Sequence, residues 1–202
     1  MTLTPSKHPM TRWLVPAALA TVLAGCAAPA QQTTLLTLPP RLAAAPDAAL
    51  DTTRVLQLAR LTIPEYLTAR SARYRADDNT LAPWPATVWA ERLEVALTRD
   101  LAAALRLRLP GWQVCEDRCP APPSHRLNVE LSALEHQRSA HTLQAQARWS
   151  WQATSSPPPL PTAGQRSGTI NGLADTPQAG AAAMAAWSDQ LAEQIAKQIA
   201  TP

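Results

Sequence analysis

The residues with the greatest chemical potential in this 202-residue chain are its three cysteines. Cys26 closes the run Leu23-Ala24-Gly25-Cys26, while Cys115 and Cys119 are separated by Glu-Asp-Arg. A thiolate can be alkylated, oxidised or bound to a metal, so its setting decides its chemistry. Three intervening residues do not make the two-residue redox motif. A zinc site would have to recruit His125 and a further ligand that the spacing does not supply. The histidines His8, His125, His136 and His141 stand at neither His-x₃-His nor His-Glu-x-x-His spacing. Gly164-Gln-Arg-Ser-Gly168 lacks the Gly-x-Ser-x-Gly order of a nucleophile elbow. Asp77-Asp78-Asn79 reads as a solvated turn, because the distal glutamate of a calcium loop is missing. No catalytic constellation emerges, and neither metal nor diffusible cofactor is expected.

Residues 1–12 carry Lys7, His8 and Arg12 and no acid, and residues 13–23 are apolar except for Thr21. A basic start followed by about eleven apolar residues has the form of a signal peptide and is too short to cross a bilayer as a helix. Met10 is an alternative start to Met1, since "MTRWLVP" would still leave a complete leader. Leu23-Ala24-Gly25-Cys26 resembles the bacterial lipobox at all four positions. That resemblance implies cleavage after residue 25, a diacylglycerol thioether on Cys26 and an acyl chain on the freed amine. Several chains anchor firmly, at about 0.8 kcal/mol per buried CH₂. Residues 1–25 are then a leader and 26–32 a lipidated tether. Ala27 stands where an aspartate would favour inner-membrane retention, so the outer membrane is the implied destination.

Removing the leader changes the charge balance. Of 18 basic residues Lys7 and Arg12 leave, so 16 face 15 acids and the net charge falls from +3 to +1. A nucleic-acid partner would need a basic stripe, and none remains. The length suits one domain. Beyond Cys26, Cys115 and Cys119 are the two thiols left; so close together in an oxidising compartment, they read as a local disulfide of modest stabilising effect.

The elements that must carry these residues follow from periodicity. "TTLLTLP" (33–39) and "TRVLQLARLTIP" (53–64) are strand candidates, with 39–51 rich in Ala, Pro and Asp between them. Residues 65–85 read as an irregular connector ending in Pro-Trp-Pro. A helix is expected from about Thr87 to Leu107, because Trp89, Leu93, Leu97, Leu101 and Leu105 recur every four residues. "WQVCE" (112–116) is a short strand. Residues 125–136 and 141–153 alternate cleanly, placing Leu127, Val129, Leu131 and Ala133 on one face, and Leu143, Ala145, Ala147, Trp149 and Trp151 on one face of the second strand. Residues 155–164 form a Pro-rich loop, and 165–174 return as an edge strand. Thr176-Pro177 opens a last helix with Met184, Trp187, Leu191, Ile195 and Ile199 inward. The order is β-β-α-β-β-β-β-α. It predicts an α/β (α+β) two-layer sandwich, two helices on one face of a mixed, largely antiparallel sheet.

The stretch "LTIPEYLTARSARYRADDNTLAPWPATVWAERLEVALTRDLAAAL" (61–105) resembles the core of the ABC-type transport auxiliary lipoproteins, the paraquat-inducible protein C family. Pro64-Glu65-Tyr66-Leu67 matches the Pro-x-Tyr-Leu turn of that family. The Arg and Tyr stretch from Arg70 to Arg75, the polar turn at Asn79 and the helix led by Trp89-Ala90-Glu91 follow in order. Leu35 and Leu36 stand where the family usually has aromatic residues. The Pro-rich loop and the Cys115/Cys119 pair look particular to this chain. The likeness implies a domain over 33–202 in a non-enzymatic periplasmic lipoprotein on the outer membrane. Such a subunit docks a lipid-transporting bridge of mammalian-cell-entry (MCE) domain proteins, and forms a homo-oligomer. The residues themselves offer two partner surfaces for such a subunit: the connector at 65–85, through its conspicuous Tyr66, Tyr74 and Trp84, or the edge at 165–174, where strand addition is available. Two competing classes remain: a stand-alone lipid- or peptidoglycan-binding lipoprotein, and an assembly factor for a surface appendage.

Overall fold

A computed structural model describes residues 32–41, 53–77, 79–155, 157 and 160–200. The leader 1–25, both candidate starts, Cys26 and the tether up to residue 31 lie outside the described residues. Among those described, the strands are β1 (Thr34–Leu36), β2 (Val55–Leu58), β3 (Ser71–Arg75), β4 (Leu81–Trp89), β5 (Gln113–Cys115), β6 (His125–Gln137), β7 (Thr142–Ala153) and β8 (Thr162–Ile170). Two helices, α1 (Leu93–Arg108) and α2 (Pro177–Ala200), complete the set, with a 3₁₀ turn at Glu65–Leu67.

β6 organises the sheet. Along one side it pairs in antiparallel register with β7, which pairs with β8; along the other it holds β2 near its start and β3 at its end. β2 continues to β5, and β3 to β4 and then β1. The result is an eight-stranded, mostly antiparallel open sheet with two helices, the two-layer α+β sandwich expected from the sequence. Leu101, Leu105, Trp187, Leu191 and Ile195 of the helices meet Leu56, Leu58, Leu127 and Leu143 of the sheet in one core. α2 starts where expected: the Thr176 side-chain oxygen accepts from Ala179 N at 3.2 Å, capping an otherwise orphan donor.

Four expectations need correction. The connector at 65–85 is not irregular: β3 and β4 form a hairpin whose turn uses Asn79 at φ +63°. Pro83 and Pro85 are tolerated in β4 because β1 pairs only with Thr87–Trp89, leaving the other edge of β4 without a strand neighbour at both prolines among the described residues. Between its two pairing zones β4 bulges, with Ala86 at φ +46°. For the same reason α1 begins at Leu93 rather than Thr87. Thr87, Val88 and Trp89, β-branched and aromatic, serve as strand. A bulge at Ser132 of β6 flips the face of the residues after it, so Leu134 and His136, not Ala133, turn into the core. Finally, β8 already starts at Thr162, inside the expected loop.

Arg41 straps the start of the domain to both helices. Its guanidinium donates to both Asp100 oxygens of α1 (2.8 and 3.2 Å) and to Asp189 Oδ1 (2.6 Å) and the Ala185 carbonyl (2.9 Å) of α2. Arg108 holds the second Asp189 oxygen, so the two helix surfaces and the incoming chain share one ion network.

Candidate functional site

The hairpin β3–β4 carries most of the residues singled out for partner contact, and the structure separates them into two groups. Tyr74 and Trp84 lie diagonally across the hairpin with ring centroids 4.7 Å apart. Arg138, in the turn after β6, lays its guanidinium over both, 4.8 Å from the Tyr74 centroid and 5.0 Å from that of Trp84. It also donates to the Tyr74 hydroxyl at 3.0 Å and to both oxygens of Asp175, just ahead of α2, at 2.7 and 2.9 Å. A cation on two aromatic faces and a bidentate carboxylate is a rigid arrangement, the use for which arginine is better shaped than lysine. It fastens the hairpin to the start of α2.

Trp84 is buried, whereas Tyr74 and Tyr66 are half-buried. Behind Trp84 sits His136, 1% exposed, its ring 5.7 Å from the indole. Neither ring nitrogen finds a hydrogen-bond partner among the described residues. Burial pushes its pKa down, so the imidazole is held neutral. Close packing is explicit here: a Cβ on Gly180 would lie 2.8 Å from His136 Nδ1.

Tyr66 belongs to a separate network. Its hydroxyl donates to Glu135 Oε1 at 2.8 Å, and Arg75 grips both oxygens of the same carboxylate. Gln137 adds a donor at 3.2 Å. The Arg75 guanidinium holds the Glu135 carboxyl below its usual range, while burial and that carboxylate raise the Tyr66 phenol. Toward solvent the hairpin and the residue before it expose Arg70, Arg73, Asp77, Asn79, Thr80, Pro83 and Pro85, beside the half-buried tyrosines. Arg138, Asp175 and Glu135 were missed by sequence reading, and His136 was weighed there only as a metal ligand. Only the position of Arg138 directly after a clear strand gave a signal.

The other chemical candidates resolve simply. Cys115 and Cys119 are joined as a disulfide with Cα atoms 5.3 Å apart. Ser124 Oγ lies 3.1 Å from His125 Nδ1, superficially a nucleophile and base, but the hydroxyl is spent on the Val55 backbone at 3.0 and 3.1 Å. Among the described residues no three His, Cys, Asp or Glu side chains gather as a metal site. The edge strand β8 pairs with β7 alone, leaving its outer edge without a strand neighbour among the described residues.

The comparisons with known proteins agree with this frame. A family model described as ABC-type transport auxiliary lipoprotein component matches residues 35–200. The intermembrane transport lipoprotein PqiC of Escherichia coli K12 is 31% identical over 105 residues, 52% of this chain and 56% of that protein. Its namesake from Shigella flexneri matches equally. The chain thus spans about half the length of the curated relatives it matches. Among solved structures, an uncharacterised protein superposes with a TM-score of 0.69 at 19% identity, covering 84% of this chain and all of the other. A Xanthomonas campestris protein gives 0.57 at 12% identity, over 83% of this chain and 92% of its own. At such identities the likeness shows the fold alone.

Proposed function

This chain belongs to the ABC-type transport auxiliary lipoprotein component family, and from that premise we propose that it is a non-enzymatic docking subunit held at the outer membrane through lipidated Cys26. The match over residues 35–200 carries the reading, because the family is one of transport components rather than enzymes. The name of the E. coli relative adds the setting: intermembrane transport. Support for the anchor comes from the leader and Leu23-Ala24-Gly25-Cys26. Residues 1–25 are a removable leader in this reading, 26–32 a tether, and 33–202 the working domain.

The tether does the physical work. Fewer than ten residues separate Cys26 from β1, and an extended chain spans about 3.3–3.6 Å per residue, so the domain stays within about 25–35 Å of the bilayer. Confinement to that layer raises its effective concentration for a partner arriving from the inner membrane. The partner proposed is an MCE-domain protein, and the docking unit is a homo-oligomer of this chain. Its contact surface is the exposed side of the β3–β4 hairpin, where Arg70 and Arg73 are presented on a backbone fixed by the Tyr66 and Tyr74 networks.

The anchor is tested by metabolic labelling with palmitate and membrane fractionation. Wild-type chain should take up label and float with outer membrane, and Cys26→Ser should do neither. Label retained by Cys26→Ser would sink the anchor. The hairpin is tested by Arg70→Glu with Arg73→Glu: recovery of an MCE-domain protein at the wild-type level would exclude this surface. Trp84 is a poor probe for that purpose, since replacing a buried indole perturbs folding before contact.

A further inference from the structure

His136 is a buried titratable group that no hydrogen bond accounts for, and it sits where a loosely fastened element meets the sheet. That element is the β3–β4 hairpin. β3 pairs with β6 at one position, Arg75 with Gln137, and Arg138 N donates to the Arg75 carbonyl at 3.2 Å. On the far side β4 pairs with three residues of β1. By contrast, β6 and β7 pair from His125 to Gln137. Side chains therefore do much of the fastening: Arg75 on Glu135, Arg138 over Tyr74 and Trp84, and Trp84 against the His136 ring. An element with few ladder bonds opens more easily than one joined along its length.

The setting of His136 is hostile to charge. Both ring nitrogens are buried without a partner among the described residues, so an imidazolium would bring two donors and find no acceptor. Trp84 lies on one side, and Gly180 of α2 approaches Nδ1 on another. β7 sets Leu143 opposite it, and α2 has no charged side chain from Pro177 to Trp187. From the turn after β6, Arg138 and His141 oppose a positive charge there. Asp175 favours one, but both its oxygens already accept from Arg138. Arg75 and Glu135 neutralise each other, and Glu135, one residue along the strand, points to the other face of the sheet. With the hairpin lifted, the same imidazole meets water and takes its proton as an ordinary histidine does.

We propose that His136 is an acid-sensitive latch: protonation of its imidazole releases the β3–β4 hairpin from the start of α2 while β6, β7 and β8 stay folded. The latch is a property of the domain and stands whether or not the chain docks a partner. Its consequence for docking, loss of the fixed backbone that presents Arg70 and Arg73, rests on the reading given above. The open form binds the proton first, so acid favours opening. Between about pH 7.5 and about pH 5.5, a group that titrates at 6.5 when open and takes no proton when closed raises the opening equilibrium about tenfold.

Native-state hydrogen exchange on the full chain in a mild detergent tests the latch, read by mass spectrometry at those two pH values and corrected for the intrinsic chemical rate. Amides of residues 71–89 should exchange about tenfold faster at the lower pH, with no dependence on low concentrations of urea. Amides of residues 142–153 should stay at least about tenfold better protected than the hairpin. His136→Leu keeps an apolar group against Trp84 and cannot take a proton, so its hairpin should show no acid acceleration. Three results overturn the proposal: no acceleration in the wild-type hairpin, equal protection of the hairpin and residues 142–153 at the lower pH, or the same acceleration in folded His136→Leu. Should His136→Leu fail to fold, the first two decide on the wild-type chain alone.

Discussion

Arg41→Ala puts the strap between the start of the domain and the helix layer to a direct test. The Asp100 side chain is 5% exposed and, among the described residues, both its oxygens receive their hydrogen bonds from Arg41. Truncating Arg41 leaves that carboxylate buried without its partner. Asp189 suffers less, because Arg108 still holds it. Removing one member of a buried pair costs about 3–5 kcal/mol; the Arg41 side chain keeps 20% exposure, so about 3 kcal/mol is expected. For a domain of this size each kcal/mol moves the melting point by about 2–4 °C, so the loss should be about 6–12 °C. Urea unfolding should show a lower midpoint with an unchanged slope, since the surface exposed on unfolding is the same. Replacing both partners with leucine, Arg41→Leu with Asp100→Leu, removes the orphan charge and should restore stability to within about 1 kcal/mol of wild type. A shift below about 2 °C in Arg41→Ala, or a double variant no better than the single, would show that the strap does not hold the helix layer.

His136 is held below its ordinary value of 6.5, so the unfolded chain binds its proton first as pH falls. Urea midpoints should then be flat above about pH 7 and decline through the window below 6.5; His125, also depressed by burial, shares that slope, and His136→Leu should remove part of it. A Cβ on Gly164 would lie 2.3 Å from Trp149 Cζ2, in an indole 3% exposed and bonded to Gln198 at 2.8 Å. Gly164→Ala should cost about 2 kcal/mol by overpacking, and the cost should vanish in a Trp149→Leu background. The Cys115–Cys119 bridge closes a very short loop, so Cys115→Ala with Cys119→Ala should lower stability by about 2 kcal/mol and leave the far-ultraviolet spectrum unchanged.

Legibility in the sequence followed the strength of local periodicity. β6, β7 and α2 were readable because alternation or a four-residue stripe runs for many residues without a breaker. The two-layer architecture followed from those elements and their single apolar faces. The hairpin was hidden by Pro83 and Pro85, whose tolerance depends on which edge of β4 is left unpaired, a property of the sheet and not of the segment. Trp89 fits the helical stripe by spacing but serves as strand, since β1 supplies it with a parallel partner from far upstream. A one-residue bulge at Ser132 moved His136 from the outer face into the core, and with it the neighbour of Trp84. The candidate sites share this long-range character. Arg138 meets Tyr74 across 64 positions and Arg41 meets Asp189 across 148, and no local pattern encodes either pairing.

A lipid-anchored domain that docks a transport partner should bring that partner with it out of the envelope. The deciding experiment is affinity purification of the tagged full chain from solubilised envelopes, with the recovered partners quantified by mass spectrometry against the Cys26→Ser chain at matched levels. An MCE-domain protein should be recovered with wild type and sharply reduced with Cys26→Ser, because an unanchored domain is no longer confined to the docking layer. Recovery of that protein to the same extent with both chains, or with neither, would rule out anchored docking.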